Sequence, residues 1–306
     1  MEEDNNNINN LVYVFLNSSF TDSKNREDTW YAHTTLPEFY TLTYNFNKAK
    51  FKNSHFITNE NKDIQDLLED KDFKYLDQVI NEKWSRYKKN PFWYNTSIRV
   101  ILLCIYIKKH YLKNVTHVEA DNIIFANNVS ILNKIFSNGE YGFCNEGPFS
   151  SAPSFIFLKD EVAADNLLQK HIQLYEKGEH KLAPYVGYFC NYITDMPLLD
   201  IIYRYKKNYK MLPSLPFGIS SENFEELQCV FDPTSYGQYI GGTNSGEAPG
   251  FTDFKHYVGR AIINKQISVN MNKAPYIMYN NKAVPIFNLH VHNKRVIKEI
   301  LERCDS

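Results

Sequence analysis

Leu11-Val12-Tyr13-Val14-Phe15-Leu16 is a continuous apolar run that stops abruptly at Asn17-Ser18-Ser19. A strand buried on both faces needs apolar side chains at every position, so the run predicts a parallel strand of an α/β sheet feeding a loop. Ligands of open α/β sheets lie beyond the carboxyl ends of the strands, which makes Asn17 a candidate nucleotide-binding residue. Residues 1–10 are polar and acidic and are expected to form an untethered tail.

The alternation continues outward from this strand. A second strand is expected at Ser54–Thr58 and helices at Asp63–Leu68 and Tyr75–Trp84. From Asn95 to Lys109 an amphipathic pattern predicts a helix, with Thr96 or Ser97 as its cap and Lys108 and Lys109 at the end where the dipole favours cations. A strand at Val115–Ala120 is next, then another at Ser154–Leu158, helices over 160–177 and 195–207, and a Pro-rich connector over 211–216. Residues 237–250 read as a Gly-rich loop, 288–292 as a strand, and 295–306 as a terminal helix. One domain spanning 11–294 is expected, in two halves at 11–130 and 131–294.

Composition narrows the function classes. With 306 residues and 43% hydrophobic content the chain can bury a sizeable core. The formal net charge of -1 provides no overall positive field, so no nucleic-acid partner is expected. The longest helix-compatible apolar run, Val100–Ile107, is far short of the ~20 residues a bilayer span requires. Five scattered cysteines without CxxC spacing suit reduced thiols, and the opening MEEDNNNINN is not a signal peptide. A cytoplasmic location is expected.

The chemistry concentrates in His117-Val118-Glu119-Ala120-Asp121-Asn122. At i and i+2 of a strand, Glu119 and Asp121 share a face, and two adjacent carboxylates repel unless a hard divalent cation neutralises them. Mn²⁺ or Mg²⁺, which prefer carboxylates together with phosphate oxygens, are the candidate cofactors. An isolated Glu-x-Asp is more often a pair of solvated acids. Here it closes a buried strand that comes after a helix carrying a lone Arg99, itself either a surface charge or a partner for the acids or a nucleobase.

With these residues in view, the chain resembles the GT-A glycosyltransferases of family eight and their viral and bacterial relatives. The stretch from Asn95 through Phe125 is similar to that family's helix with an early arginine and strand ending in Asp-x-Asp, with Glu119 standing for the first aspartate. Ala152–Leu158 resembles the strand beneath the sugar, Asp195-Met196-Pro197 the helix start whose aspartate contacts the sugar, and Met211-Leu212-Pro213 the connector after it. Leu289–Lys294 resembles the late segment that supplies a histidine metal ligand and a phosphate-binding lysine. The resemblance implies a Rossmann-like nucleotide-sugar-binding fold with a mixed, mostly parallel sheet. It also implies retaining transfer from a nucleotide-diphosphate donor, a UDP-sugar being favoured, to a hydroxyl of a glycan or glycoprotein.

The residues themselves leave alternatives. Period-two alternation puts Asn288, His290, His292 and Lys294 on one face, so either histidine is a candidate metal ligand and Lys294 a candidate diphosphate clamp. Asp195 is either a helix cap or a sugar contact. Asp232 is a candidate general base if the enzyme inverts configuration. A sugar nucleotidyltransferase is the alternative enzyme, although the loop after the first strand lacks a Gly-rich basic phosphate cradle. A non-catalytic carbohydrate-binding protein of the same fold is the other alternative.

Overall fold

The computed structural model describes residues 9–16, 38–58, 62–84, 91–125, 131, 134, 135, 139–185, 193–205, 209–243 and 246–305. Its centre is a six-stranded sheet. In chain order the strands are β1 (Asn10–Phe15), β2 (Asn53–Thr58), β3 (Val115–Val118), β5 (Tyr141–Gly147), β6 (Ser150–Leu158) and β7 (Tyr209–Leu212). They lie side by side as β2-β1-β3-β6-β5-β7, parallel except that β6 runs against both neighbours. The architecture is α/β with a mixed sheet.

The apolar run 11–16 explains why the sheet is buried on both faces. Val12, Val14 and Leu16 join one core, packed with the helices α2 (Lys62–Leu68), α3 (Lys71–Lys83) and α4 (Pro91–His110) and with those at Glu161–Lys177 and Asp195–Tyr205. Leu11, Tyr13 and Phe15 join the other, packed with α1 (Glu38–Lys48) and the C-terminal helix Ile297–Asp305. Strand alternation thus serves two cores at once. Both cores draw on residues before and after position 130. No helix among the described residues is long and apolar enough to cross a membrane.

Several boundaries differ from those the sequence predicts. Asn9 and Asn10 are buried and Asn10 opens β1, so the expected tail gives way to structure by position 9. Helix α4 starts at Pro91, a residue suited to a first helical turn because its missing N–H has no partner to lose there. Thr96 and Ser97 therefore lie inside the helix, where the Thr96 hydroxyl donates to the Trp93 carbonyl at 3.1 Å. The expected connector at 211–216 begins as the end of β7, in parallel register with β5. The expected Gly-rich loop begins as a helix, Ser235–Gly241. A three-stranded meander, β8 (Ser268–Met271), β9 (Pro275–Tyr279) and β10 (Lys282–Pro285), had no counterpart among the predicted elements.

Two short strands position the acidic pair. β4 (Asn122–Ile124) pairs antiparallel with β11 (Asn288–His290), setting His290 opposite Asn122. Helix α1 holds this ribbon through its buried face. The Thr43 hydroxyl donates to the Ala120 carbonyl at 2.5 Å. Asn47, fully buried, donates to the Asn122 carbonyl at 2.7 Å and to the Tyr13 hydroxyl at 2.6 Å, and accepts from the Ile124 amide at 2.8 Å. Replacing Asn47 with alanine orphans these partners, and chemical denaturation is expected to register a loss on the order of 3 kcal/mol. A loss below about 0.5 kcal/mol would show that the amide is not holding the ribbon.

Candidate metal centre

Strand β3 ends at Val118, so Glu119 opens a tight turn and Asp121 lies within it, rather than both lying in a strand. The turn is closed by the Asn122 amide donating to the Glu119 carbonyl at 3.0 Å, while the Glu119 amide donates to the Ser154 carbonyl of β6 at 3.1 Å. Both acids still converge. What joins them is His290, the last residue of β11, whose Nε2 lies 2.9 Å from a Glu119 oxygen and 3.3 Å from an Asp121 oxygen. Glu119, Asp121 and His290 form a group with ligand atoms within 4.8 Å of one another, compact enough to hold a metal ion.

The imidazole is oriented from behind. Its Nδ1 donates to the Pro233 carbonyl at 3.0 Å, and Pro233 is fixed in turn by the Ser154 hydroxyl at 3.0 Å. A backbone acceptor on Nδ1 fixes one proton there and aims Nε2 at the carboxylates, so that Nε2 can ligate a metal once it gives up its own proton. Two carboxylates and one imidazole make an oxygen-rich donor set, which suits Mn²⁺ and, less well because of the nitrogen, Mg²⁺. Glu119, Asp121 and His290 could hold a metal ion.

Cations surround the acids on the other sides. Arg99 Nη2 lies 2.5 Å from Glu119 and 3.4 Å from Asp195, while Lys294 pairs with Asp121 and donates to the Val291 carbonyl at 3.1 Å. Arg99 is thus a partner of the acids. Burial would raise both carboxylates of the pair, but Arg99 and His290 hold Glu119 below its ordinary value, and Lys294 and His290 hold Asp121 well below it. Burial would lower His290, yet the Asp121 and Glu119 charges raise it well above the usual histidine value. Asp195, at the start of its helix, is pushed up to about 6 by burial against the opposing pull of Arg99.

Two expected site residues occupy other roles. The strand ends at His290, and Val291 extends the pairing by one bond, its amide donating to the Asp121 carbonyl at 2.9 Å. His292 is outside the group that can hold a metal: its Nδ1 meets Gln238 at 3.1 Å, and its ring stands edge-on to His290 at 4.6 Å. Asp232 is fully buried and has no open face for a substrate. Its oxygens accept from the amides of Tyr236 at 2.9 Å, Gly237 at 2.7 Å and His290 at 2.9 Å. In place of a general base, Asp232 caps the helix Ser235–Gly241 and ties it to His290. Gly237 is required at this junction, since a Cβ there would lie 2.0 Å from the His290 carbonyl oxygen. Asn17 lies outside the described residues.

The chain matches no protein-family model, and no curated protein matches it.

The charges of the site set two expected outcomes. The sequence alone suggested carboxylate repulsion at the pair, but each acid has a buried cationic partner, so Asp121→Asn should destabilise the metal-free protein by about 3 kcal/mol. A denaturation midpoint at or above wild type would contradict this. Because a metal must displace the proton that the carboxylates hold on His290, Mn²⁺ affinity should fall as pH falls, with the dependence persisting above pH ~6.5. Calorimetry in buffers of different ionisation enthalpy should record about one proton released per ion bound, and none for His290→Gln.

Proposed function

We propose that the protein is a metal-dependent glycosyltransferase of the GT-A type, moving a sugar from a nucleotide-diphosphate donor, favoured as a UDP-sugar, to an acceptor hydroxyl with retention of configuration. The observation that carries this reading is the convergence of Glu119, Asp121, His290 and Lys294 at the carboxyl end of β3, with Asp121 and Lys294 173 positions apart in the chain. The carboxyl end of a strand in an α/β sheet is where ligands of such folds bind.

Charge supports a diphosphate. Three acids, Glu119, Asp121 and Asp195, face three bases, Arg99, Lys294 and protonated His290. Exchanging the His290 proton for a divalent cation leaves this group with one net positive charge, which favours an anionic ligand. When bound, the cation supplies charge neutralisation to phosphate oxygens. Glu119, Asp121 and His290 hold it. Lys294, beside Asp121, is within the same cluster and stabilises negative charge on the departing diphosphate. Arg99 fixes the separation of Glu119 and Asp195, and under this reading Asp195 accepts a hydrogen bond from a hydroxyl of the transferred sugar.

Mn²⁺-dependent hydrolysis and transfer across a panel of nucleotide-sugars test the proposal, with proton NMR of the first-formed product giving its configuration. Lys294→Ala should weaken nucleoside diphosphate binding about tenfold or more while metal binding persists, since the lysine loses a charge-assisted contact to phosphate. Asp195→Asn should lower transfer by at least about a hundredfold with a smaller effect on donor binding. Failure of the wild-type protein to bind UDP in the presence of Mn²⁺ would overturn the reading, and an inverted product would remove its stereochemical part.

A further inference from the structure

Glu146 ends up almost completely buried at the carboxyl end of β5, the same edge of the sheet as the metal centre, yet among the described residues its partners are Ser150, Thr234 and His256 rather than Glu119, Asp121 or His290. Burying a carboxylate is unfavourable unless it is well paired, and this one is. One oxygen accepts from the Thr234 hydroxyl and lies 3.4 Å from His256 Nε2; the other accepts from the Ser150 hydroxyl at 3.0 Å. His256 Nε2 is also 3.9 Å from Asp253, and its Nδ1 meets the Ser235 hydroxyl at 3.1 Å. Consecutive residues, Thr234 and Ser235, are therefore both tied to Glu146, one directly and one through His256.

These two residues continue the segment that orients the metal ligand. Asp232 accepts from the His290 amide, and the Pro233 carbonyl accepts from His290 Nδ1. Thr234 is next in the chain, so its tether to Glu146 limits how far the Pro233 carbonyl can turn. We propose that Glu146 is a positioning residue for the metal centre, a role that rests on Glu119, Asp121 and His290 binding the metal. Through Thr234 it holds the Pro233 carbonyl where His290 keeps its Nε2 aimed at Glu119 and Asp121. Outer partners of a metal-binding histidine set its tautomer and ring angle, and Glu146 acts one step further out than the carbonyl itself.

The test is Mn²⁺ affinity, by electron paramagnetic resonance titration of the full chain, across variants on the two sides of Glu146. Thr234→Val removes the tether and should weaken Mn²⁺ about tenfold, while Thr234→Ser, which keeps the hydroxyl, should stay within about twofold of wild type. Ser150→Ala cuts a contact of the other oxygen of the same carboxylate, which does not lead to Pro233, and should also stay within about twofold. Glu146→Leu should match Thr234→Val; if that variant does not fold, the Thr234 pair decides. Wild-type affinity in Thr234→Val, or equal losses in Thr234→Val and Ser150→Ala, would overturn the proposal and leave the metal site standing. Absence of Mn²⁺ binding in the wild-type protein would overturn both.

Discussion

Two buried asparagines make the rest of this structure possible. Asn288 donates to the Asn122 side-chain oxygen at 3.0 Å and to the Asp232 carbonyl at 3.2 Å, and its own oxygen accepts from the Asp232 amide at 3.2 Å. Asn122 in turn donates to the Ser154 carbonyl at 2.9 Å. A buried amide left unpaired is costly, so this set is satisfied only when β4, β6, β11 and the segment at 232 are in one register. A slip of one residue in the short β4–β11 ribbon would turn His290 away from Glu119. Shape complementarity among apolar side chains tolerates small displacements far better than this amide network does.

Electrostatics then adds a second layer of specification. Six ionisable groups crowd the turn between β3 and β4, and each acid has at least one basic partner. Replacing such a buried set by apolar side chains commonly leaves stability unchanged or raises it, so stability is a poor explanation for its presence. A better account follows from the proposed function. Arg99, Lys294 and the protonated His290 balance the acids, and under that proposal a divalent ion would take the place of the His290 proton. His117, directly before this turn, shows the contrast. Its Nδ1 donates to the Val12 carbonyl at 2.9 Å, and burial, helped by the nearby Arg99, pushes it down to about 3 and keeps it neutral.

The sequence spoke clearly where one local rule was enough. The run 11–16 announced a doubly buried strand, and period-two alternation put His290 on a polar face with Asn288 even though the strand proved shorter than expected. It was silent where a residue's role depends on a distant partner. Thr43 and Asn47 occur four apart on the buried face of α1 beside Phe39 and Tyr40, and a polar pair on an apolar face is a signal that can be read. Nothing local says that they grip Ala120 and Asn122. β5 was overlooked because Gly142, Asn145 and Glu146 dilute its apolar pattern, although the whole strand is buried. The glycines around 237–242 suggested a loop. They occur where a helix, capped by Asp232, runs against the backbone of His290 too closely to admit a side chain.

The lateness of β11 in the chain has a consequence during synthesis. Domains emerge from the ribosome starting at their N-terminal end, and α4, β3 and the two acids are exposed well before residues 288–294 are made. Until then Glu119 and Asp121 have Arg99 nearby but neither His290 nor Lys294, and the β4 backbone has no antiparallel partner. The nascent chain therefore carries an open strand edge beside an acidic turn whose charge is only partly compensated. Charge on that turn discourages pairing with other chains, as charged residues on edge strands do generally. The same carboxylates that assemble the site in the finished protein thus act as a guard against aggregation while it is still being made.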